Sequence, residues 1–142
     1  MSIEELEQEI IDEFSIFDDW MQKYEYIIEL GKELPIIDNN FKTEDYLIKG
    51  CQSRVWLHAS YDDKQIKLTA DSDAIITKGI IALLIKVLSN QSPKNILNAK
   101  LEFIDTIGLT SHLSPTRANG LLGMVKQIRN FALAYQIKTG TK

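Results

Sequence analysis

Cys51 is the residue of this 142-residue chain best suited to covalent chemistry, and it is the chain's single cysteine. It stands in "GCQS", after Gly50 and ahead of Gln52 and Ser53, just where an apolar-alternating run begins. A lone cysteine is commonly a small buried hydrophobe. Its neighbours argue otherwise. Gly50 permits backbone conformations that other residues avoid, and Gln52 and Ser53 form a polar flank that a core position tolerates poorly. The pattern predicts an exposed loop-tip thiol able to act as a nucleophile. With an unperturbed pKa of about 8.5, only a small fraction of such a thiol is thiolate at neutral pH. A neighbour, or the site of a partner, must therefore assist it.

The two histidines are the natural helpers. His58 lies seven residues along a predicted strand, roughly 23 Å if fully extended, and is out of reach. His112 falls in a loop from Gly108 to Pro115 and stays open as a partner. Cys51, His112 and a carboxylate would suit a metal by ligand type, but no spacing supports such a site, and none is expected. "HLSPTRANG" puts Arg117 and Asn119 in the first turn of the last helix, where the dipole mildly disfavours a cation. Arg117 is either a solvated charge or a fixed cation for a carboxylate on a partner or ligand. Asp71 or Ser72 reads as a helix cap and Asp73 as a first-turn residue. Trp56, beside Arg54 on the polar side of its strand, is either covered by a helix or an exposed contact residue.

These residues need elements to hold them. Ile3, Leu6, Ile10 and Phe14 recur at helical spacing and predict a helix over 3–13. A second helix begins near residue 17, with Asp18 and Asp19 in its first turn, and Gly31 reads as a left-handed stop before Pro35. Residues 35–45 read as a loop with a short helical turn near Glu44. From Gln52 the period becomes two: Val55, Leu57, Ala59 and Tyr61 share one strand face. "DDK" at 62–64 turns the chain into a second strand over 65–70, making a hairpin. A helix from "DSDA" runs to about Leu88. Ser92-Pro93 opens a short helix, 100–107 is open between strand and helix, and Ser114-Pro115 opens the longest helix. The expected fold is α+β: a small antiparallel sheet packed against several helices, in one domain over 1–142, with Cys51 on a loop before the first strand.

The totals narrow the function. Hydrophobic residues make up 44% and charged residues 25%, ordinary values for a globular chain with one core. A net charge of −4 argues against a nucleic-acid partner, which needs a positive surface. No apolar run approaches the roughly 20 residues needed to span a bilayer. "MSIEELEQEI" lacks the positive start and apolar block of a signal peptide, so a cytoplasmic location and no membrane partner are expected. One cysteine excludes an internal disulfide and a thiolate-rich metal cage.

Four stretches in order, "YIIELGKELP" (26–35), "GCQSRVW" (50–56), "DSDAIITKG" (71–79) and "HLSPTRANGL" (112–121), resemble the SufE family of sulfur-acceptor proteins in iron–sulfur cluster assembly. The resemblance covers nearly the whole chain and implies a SufE/IscU-like α/β sandwich. It also implies a function: accepting persulfide sulfur from a PLP-dependent, SufS-like cysteine desulfurase, stimulating that enzyme, and passing sulfur to a SufBCD-like scaffold complex. Cys51 would accept the sulfur, with Gly50, Gln52 and Ser53 positioning its loop. Arg117 would contact the desulfurase, and Asp73 would bear on whether the loop is tucked or extended. The chain would bind no cofactor of its own, PLP belonging to the partner, and would be a monomer or weak homodimer. Two positions depart from the family: Tyr46 where asparagine is frequent, and Thr116 where serine is. Thr116 keeps the hydroxyl, whereas Tyr46 is expected to alter how the loop rests.

Chemistry agrees with this reading. Thiolate attack on the outer sulfur of a persulfide needs an accessible thiolate and an in-line approach. The absence of a second cysteine leaves no internal thiol to discharge the product. Two other classes compete: a stand-alone hydrolase or transferase pairing Cys51 with His112, and an interaction module with a structural cysteine. A sulfur acceptor serving a desulfurase of another pathway is a variant of the first reading. In each sulfur-carrier reading the chain is a transfer protein and activator, since the partner's cofactor breaks the carbon–sulfur bond.

Overall fold

A computed structural model describes residues 1–48 and 53–140. The first helix, α1 (Ile3–Phe14), opens with a capping box: the Glu5 amide donates to Ser2 Oγ and the Ser2 amide to Glu5 Oε1, each at 3.1 Å. Its Ile3, Ile10 and Phe14 enter the core. Helix α2 (Trp20–Lys32) begins later than the sequence suggests. Asp19 is its N-cap, accepting from the Gln22 amide at 2.9 Å, and Asp18 precedes the helix. Gly31 is not a stop. It is buried inside α2, facing Gly79 of α3 (Ile75–Leu88), and a Cβ built on it would lie 3.0 Å from the Gly79 nitrogen. At Gly79 a Cβ would meet the Ile27 carbonyl oxygen at 2.2 Å. The pair of glycines thus lets two helix backbones approach more closely than side chains would allow.

The sheet holds β1 (Val55–Asp62) and β2 (Gln65–Ser72), antiparallel, with Val55 opposite Ser72 and Asp62 opposite Gln65. Asp63 and Lys64 turn the hairpin with φ of 53° and 64°, the paired positive values that match a two-residue turn to strand twist. Val55, Leu57 and Ala59 of β1 and Ile66, Leu68 and Ala70 of β2 are buried together on the inner face. Over them lie α3 and α7 (Pro115–Thr139), and Tyr135 of α7 donates its hydroxyl to the Ala59 carbonyl at 3.1 Å. Helix α3 is apolar nearly all round, as a central buried helix must be.

The segment between α2 and β1 crosses the sheet and is stitched at both ends. The Ile37 amide donates to the Ala70 carbonyl at 3.0 Å, and the Ile48 amide to the Val55 carbonyl at 2.8 Å. Leu47 forms an antiparallel bridge with Trp56. Between these anchors run two single-turn 3-10 helices, Asn39–Phe41 and Glu44–Tyr46, the second where the sequence placed a turn.

The start of α3 also departs from expectation. Asp71 and Ser72 belong to β2, and the N-cap position is Ala74, whose side chain caps nothing. Asp71 instead pairs with Lys42 at 2.8 Å and Lys78 at 3.5 Å, extending the strand and tying it to both neighbours. Downstream, α4 (Pro93–Asn98) starts at a Ser92 cap as expected, its hydroxyl accepting from the Asn95 amide at 3.1 Å. Residues 100–107 resolve as a short helix, α5 (Phe103–Thr106), after Leu101 takes a left-handed φ of 56° that ends any extended run. Most of the supposed loop after Gly108 is a helical turn, α6 (Leu109–His112). Helix α7 buries Leu121, Met124, Ile128 and Ala132, the face its spacing predicts, and Gly140 closes it at φ 69°. Among the described residues no helix is long and apolar enough to cross a membrane.

Candidate functional site

Cys51, Gly50 and Gln52 lie outside the described residues, so the site is built from what flanks them. On one side Ile48 and Val55 are buried and joined through their backbones. On the other, Asp73 clamps Arg54 twice: the Arg54 amide donates to Asp73 Oδ1 at 3.0 Å, and the Asp73 amide donates to the Arg54 carbonyl at 3.2 Å. The carboxylate expected in the first turn of α3 instead fixes the backbone next to Ser53. A first-turn acid and a loop clamp use the same residue type, since each is a carboxylate beside free backbone amides, so sequence alone could not separate them.

Ser53 lines a cleft of about 270 Å³ at the junction of the β1 start with the first turns of α3 and α7. Its walls include Thr77 and Ile80 from α3, and Thr116, Arg117, Gly120 and Met124 from α7. Two residues singled out in the sequence, Ser53 and Arg117, are thus brought together. Arg117 sits in the first turn of α7, its amide donating to Ser114 Oγ at 3.3 Å. Asn119 falls one position past that turn. The Arg117 guanidinium is not a free solvated charge: Nη1 donates to the Tyr24 hydroxyl of α2 at 2.9 Å, and both side chains are partly buried.

The histidines go elsewhere. His58 stacks on Phe41, centroids 3.9 Å apart, with Tyr46 edge-on at 5.2 Å. Desolvation in this stack lowers its pKa, against a weaker opposing pull from Asp38. Tyr46, the departure from the family pattern, is thus part of an aromatic cluster on the outer face of the sheet. His112 stacks on Trp20 at 4.1 Å, and its Nδ1 lies 2.8 Å from the Gly108 carbonyl oxygen. A carbonyl only accepts, so Nδ1 carries the proton. Trp56 lies half-buried beneath the Lys42 ammonium, 4.8 Å from its ring centroid. Among the described residues no group of three or more His, Cys, Asp or Glu side chains could hold a metal ion.

Sequence reasoning missed Tyr24, Thr77 and Met124. Tyr24 and Met124 fall at helical spacing among apolar residues and so look like ordinary core. Thr77 carried a signal, being a lone hydroxyl in the apolar run "AIITKGIIALL".

Comparison with known proteins places this geometry. The model of the SufE family, described as an Fe-S metabolism associated domain, matches residues 8–132. SufE-like protein 1, chloroplastic/mitochondrial, of Arabidopsis thaliana is 40% identical over 132 residues, which cover 92% of this chain and 36% of that protein. The chain thus spans about a third of that relative's length. An uncharacterized SufE-like protein of Rhizobium meliloti is 39% identical, with 87% of this chain and 92% of that protein covered. A counterpart in Rhizobium etli is 41% identical, with 87% of each covered. The solution structure of a hypothetical protein from Thermus thermophilus superposes with a TM-score of 0.76 at 18% identity, covering 91% of this chain and 94% of that one, and so shares the fold. The chain belongs to the SufE family, and its domain is of the kind associated with Fe–S metabolism.

Proposed function

We propose that this protein accepts a sulfur atom on Cys51 from the persulfide of a PLP-dependent cysteine desulfurase, stimulating that enzyme, and delivers the sulfur for iron–sulfur cluster assembly. The family match over residues 8–132, which spans Cys51 and all four motif blocks, carries this reading. In the transfer, the Cys51 thiolate attacks the outer sulfur of the partner's persulfide. A new sulfur–sulfur bond forms on Cys51, the partner's own breaks, and its electron pair leaves with the partner's cysteine thiolate. No oxidant or reductant is consumed.

The anchors fit this task. Asp73 and the Ile48–Val55 pair fix the backbone on either side of the cysteine segment to the sheet. Arg117, held by Tyr24, offers its remaining donors beside Ser53 to an anionic group of the partner. On this reading the chain needs no cofactor, works in the cytoplasm as a monomer or weak homodimer, and hands sulfur to a SufBCD-like scaffold.

Incubation with a SufS-like desulfurase, PLP and cysteine is expected to add one sulfur atom to the wild-type chain by intact mass, and none to Cys51→Ser. Equal loading of Cys51→Ser would refute the reading. Loading only by a desulfurase that does not serve cluster assembly would move the protein to another sulfur pathway.

A further inference from the structure

Arg129, midway along α7, is a half-buried cation with no anionic partner among the described residues. Its Nη2 donates to the Ala99 carbonyl at the end of α4, at 2.6 Å. Its Nε is shielded from solvent and has no acceptor, the one buried side-chain polar atom so left among the described residues. A guanidinium cannot shed its charge as a buried lysine can. Its partial withdrawal from water therefore goes uncompensated until an anion stands beside it.

There is room for one. Arg129 lines a groove of about 290 Å³ between α7 and the segment over 100–110. The groove lies on a different face of α7 from the Ser53–Arg117 cleft and shares no lining residue with it. Its floor is apolar, with Leu101 and Ile104 on one side and Leu121, Leu122 and Val125 on the other. Leu122 is 67% exposed, a large hydrophobe open to solvent. Lys100, next to the Ala99 that Arg129 holds, adds a second positive charge. The lining carboxylate, Asp105, accepts from Thr110 Oγ1 at 3.4 Å and pairs with neither cation. Two cations against one acid leave the groove net positive. Along α7 the lining runs from Ala118 to Arg129, about 16 Å of helix axis, so the groove is elongated.

These features select the ligand. A strongly hydrated inorganic anion would answer Arg129 and leave the leucines exposed. A neutral hydrocarbon would cover the leucines and leave Arg129 unanswered. An amphiphile with an anionic head does both. We propose that the groove binds an aliphatic carboxylate, its head against Arg129 and Lys100 and its hydrocarbon chain along Leu101, Ile104, Leu121, Leu122 and Val125. The site is separate from the sulfur-transfer reading, and neither rests on the other.

Octanoate is the probe, titrated into the full chain below its micelle-forming concentration and followed by backbone amide shifts in NMR spectra. Saturable shifts at the groove residues are expected with octanoate. Acetate, which lacks the chain, and octylammonium, which carries the wrong charge, are expected to leave them in place. Arg129→Gln is expected to weaken octanoate binding about tenfold, the loss of one charge-assisted hydrogen bond. Leu122→Asp, at an exposed position, sets a carboxylate against the ligand and is expected to weaken it as much; Lys100→Gln, also exposed, weakens it by less. If Arg129→Gln is unfolded by circular dichroism, Leu122→Asp and Lys100→Gln decide the matter. Groove amides that octanoate leaves unmoved, or moves without saturation, would overturn the proposal. So would equal shifts with acetate or octylammonium, or folded variants that bind octanoate as wild type does.

Discussion

At the scale of single residues, the contact that most defines the cleft is the bond between Arg117 and Tyr24. A guanidinium in the first turn of α7 stands at the wrong end of the dipole, and the Tyr24 hydroxyl at 2.9 Å is what orients it. Tyr24→Phe removes that acceptor while keeping the ring. It is expected to cost about 1 kcal/mol of stability, measured by urea unfolding, and to raise the concentration needed for half-maximal desulfurase stimulation. Unchanged stimulation would separate Arg117 from the partner contact. Much of this site was readable in the residues themselves: Ser53 and Arg117 were singled out from "GCQS" and "SPTR", and the structure brings them to one cleft. Tyr24 was not, because a tyrosine in an apolar stripe is indistinguishable from core until its hydroxyl is seen to find a charged donor. Asp73 was read as a first-turn helix residue, since an acid at a helix start suits the dipole whether or not the neighbouring backbone claims it first, yet α3 begins at Ile75 and Asp73 holds Arg54.

At the scale of elements, the sheet and cleft are positioned by the packing of α2 on α3 through Gly31 and Gly79. The two sites differ in tolerance. A Cβ at Gly79 would press on the Ile27 carbonyl oxygen at 2.2 Å, whereas at Gly31 the nearest atom is 3.0 Å away. Gly79→Ala is therefore expected to destabilise the protein by about 3 kcal/mol, near the upper end of ordinary overpacking, and Gly31→Ala by clearly less. Denaturant midpoints of the two variants check the order, and the reverse order would mean that the helices separate differently. Gly31 shows why this was hidden. A glycine near Pro35 at the end of an apolar period has the signature of a helix stop, and only the second helix reveals that its missing side chain serves a crossing. The helix starts at Ser2, Ser92 and Ser114 were legible or nearly so because their signals are local: a hydroxyl followed by a free amide two or three residues on.

At the scale of the whole molecule, the strap over 36–48 joins the α2 end, the outer sheet face and the anchor at Ile48 into one unit. Its aromatic stack gives global stability a pH dependence. His58 has its pKa lowered by desolvation in the folded protein, so the unfolded chain binds its proton more readily. Stability from this group is full above the unfolded value of about 6.5 and declines as pH falls toward the folded value. Thermal unfolding of His58→Phe should lose that decline between pH 7 and 5, as judged against wild type; a parallel decline in both would remove His58 as its source. The sequence alone determined the α+β class, the hairpin, the long amphipathic α7 and the cysteine motif, because periodicity, caps and turn residues act over a few positions. Only the tertiary structure decided that Gly31 meets Gly79, that Asp73 holds Arg54, that Tyr24 holds Arg117, and that Thr77 lines the cleft. Each of these joins residues distant in the chain or depends on the space left between packed elements, and no local pattern encodes that space.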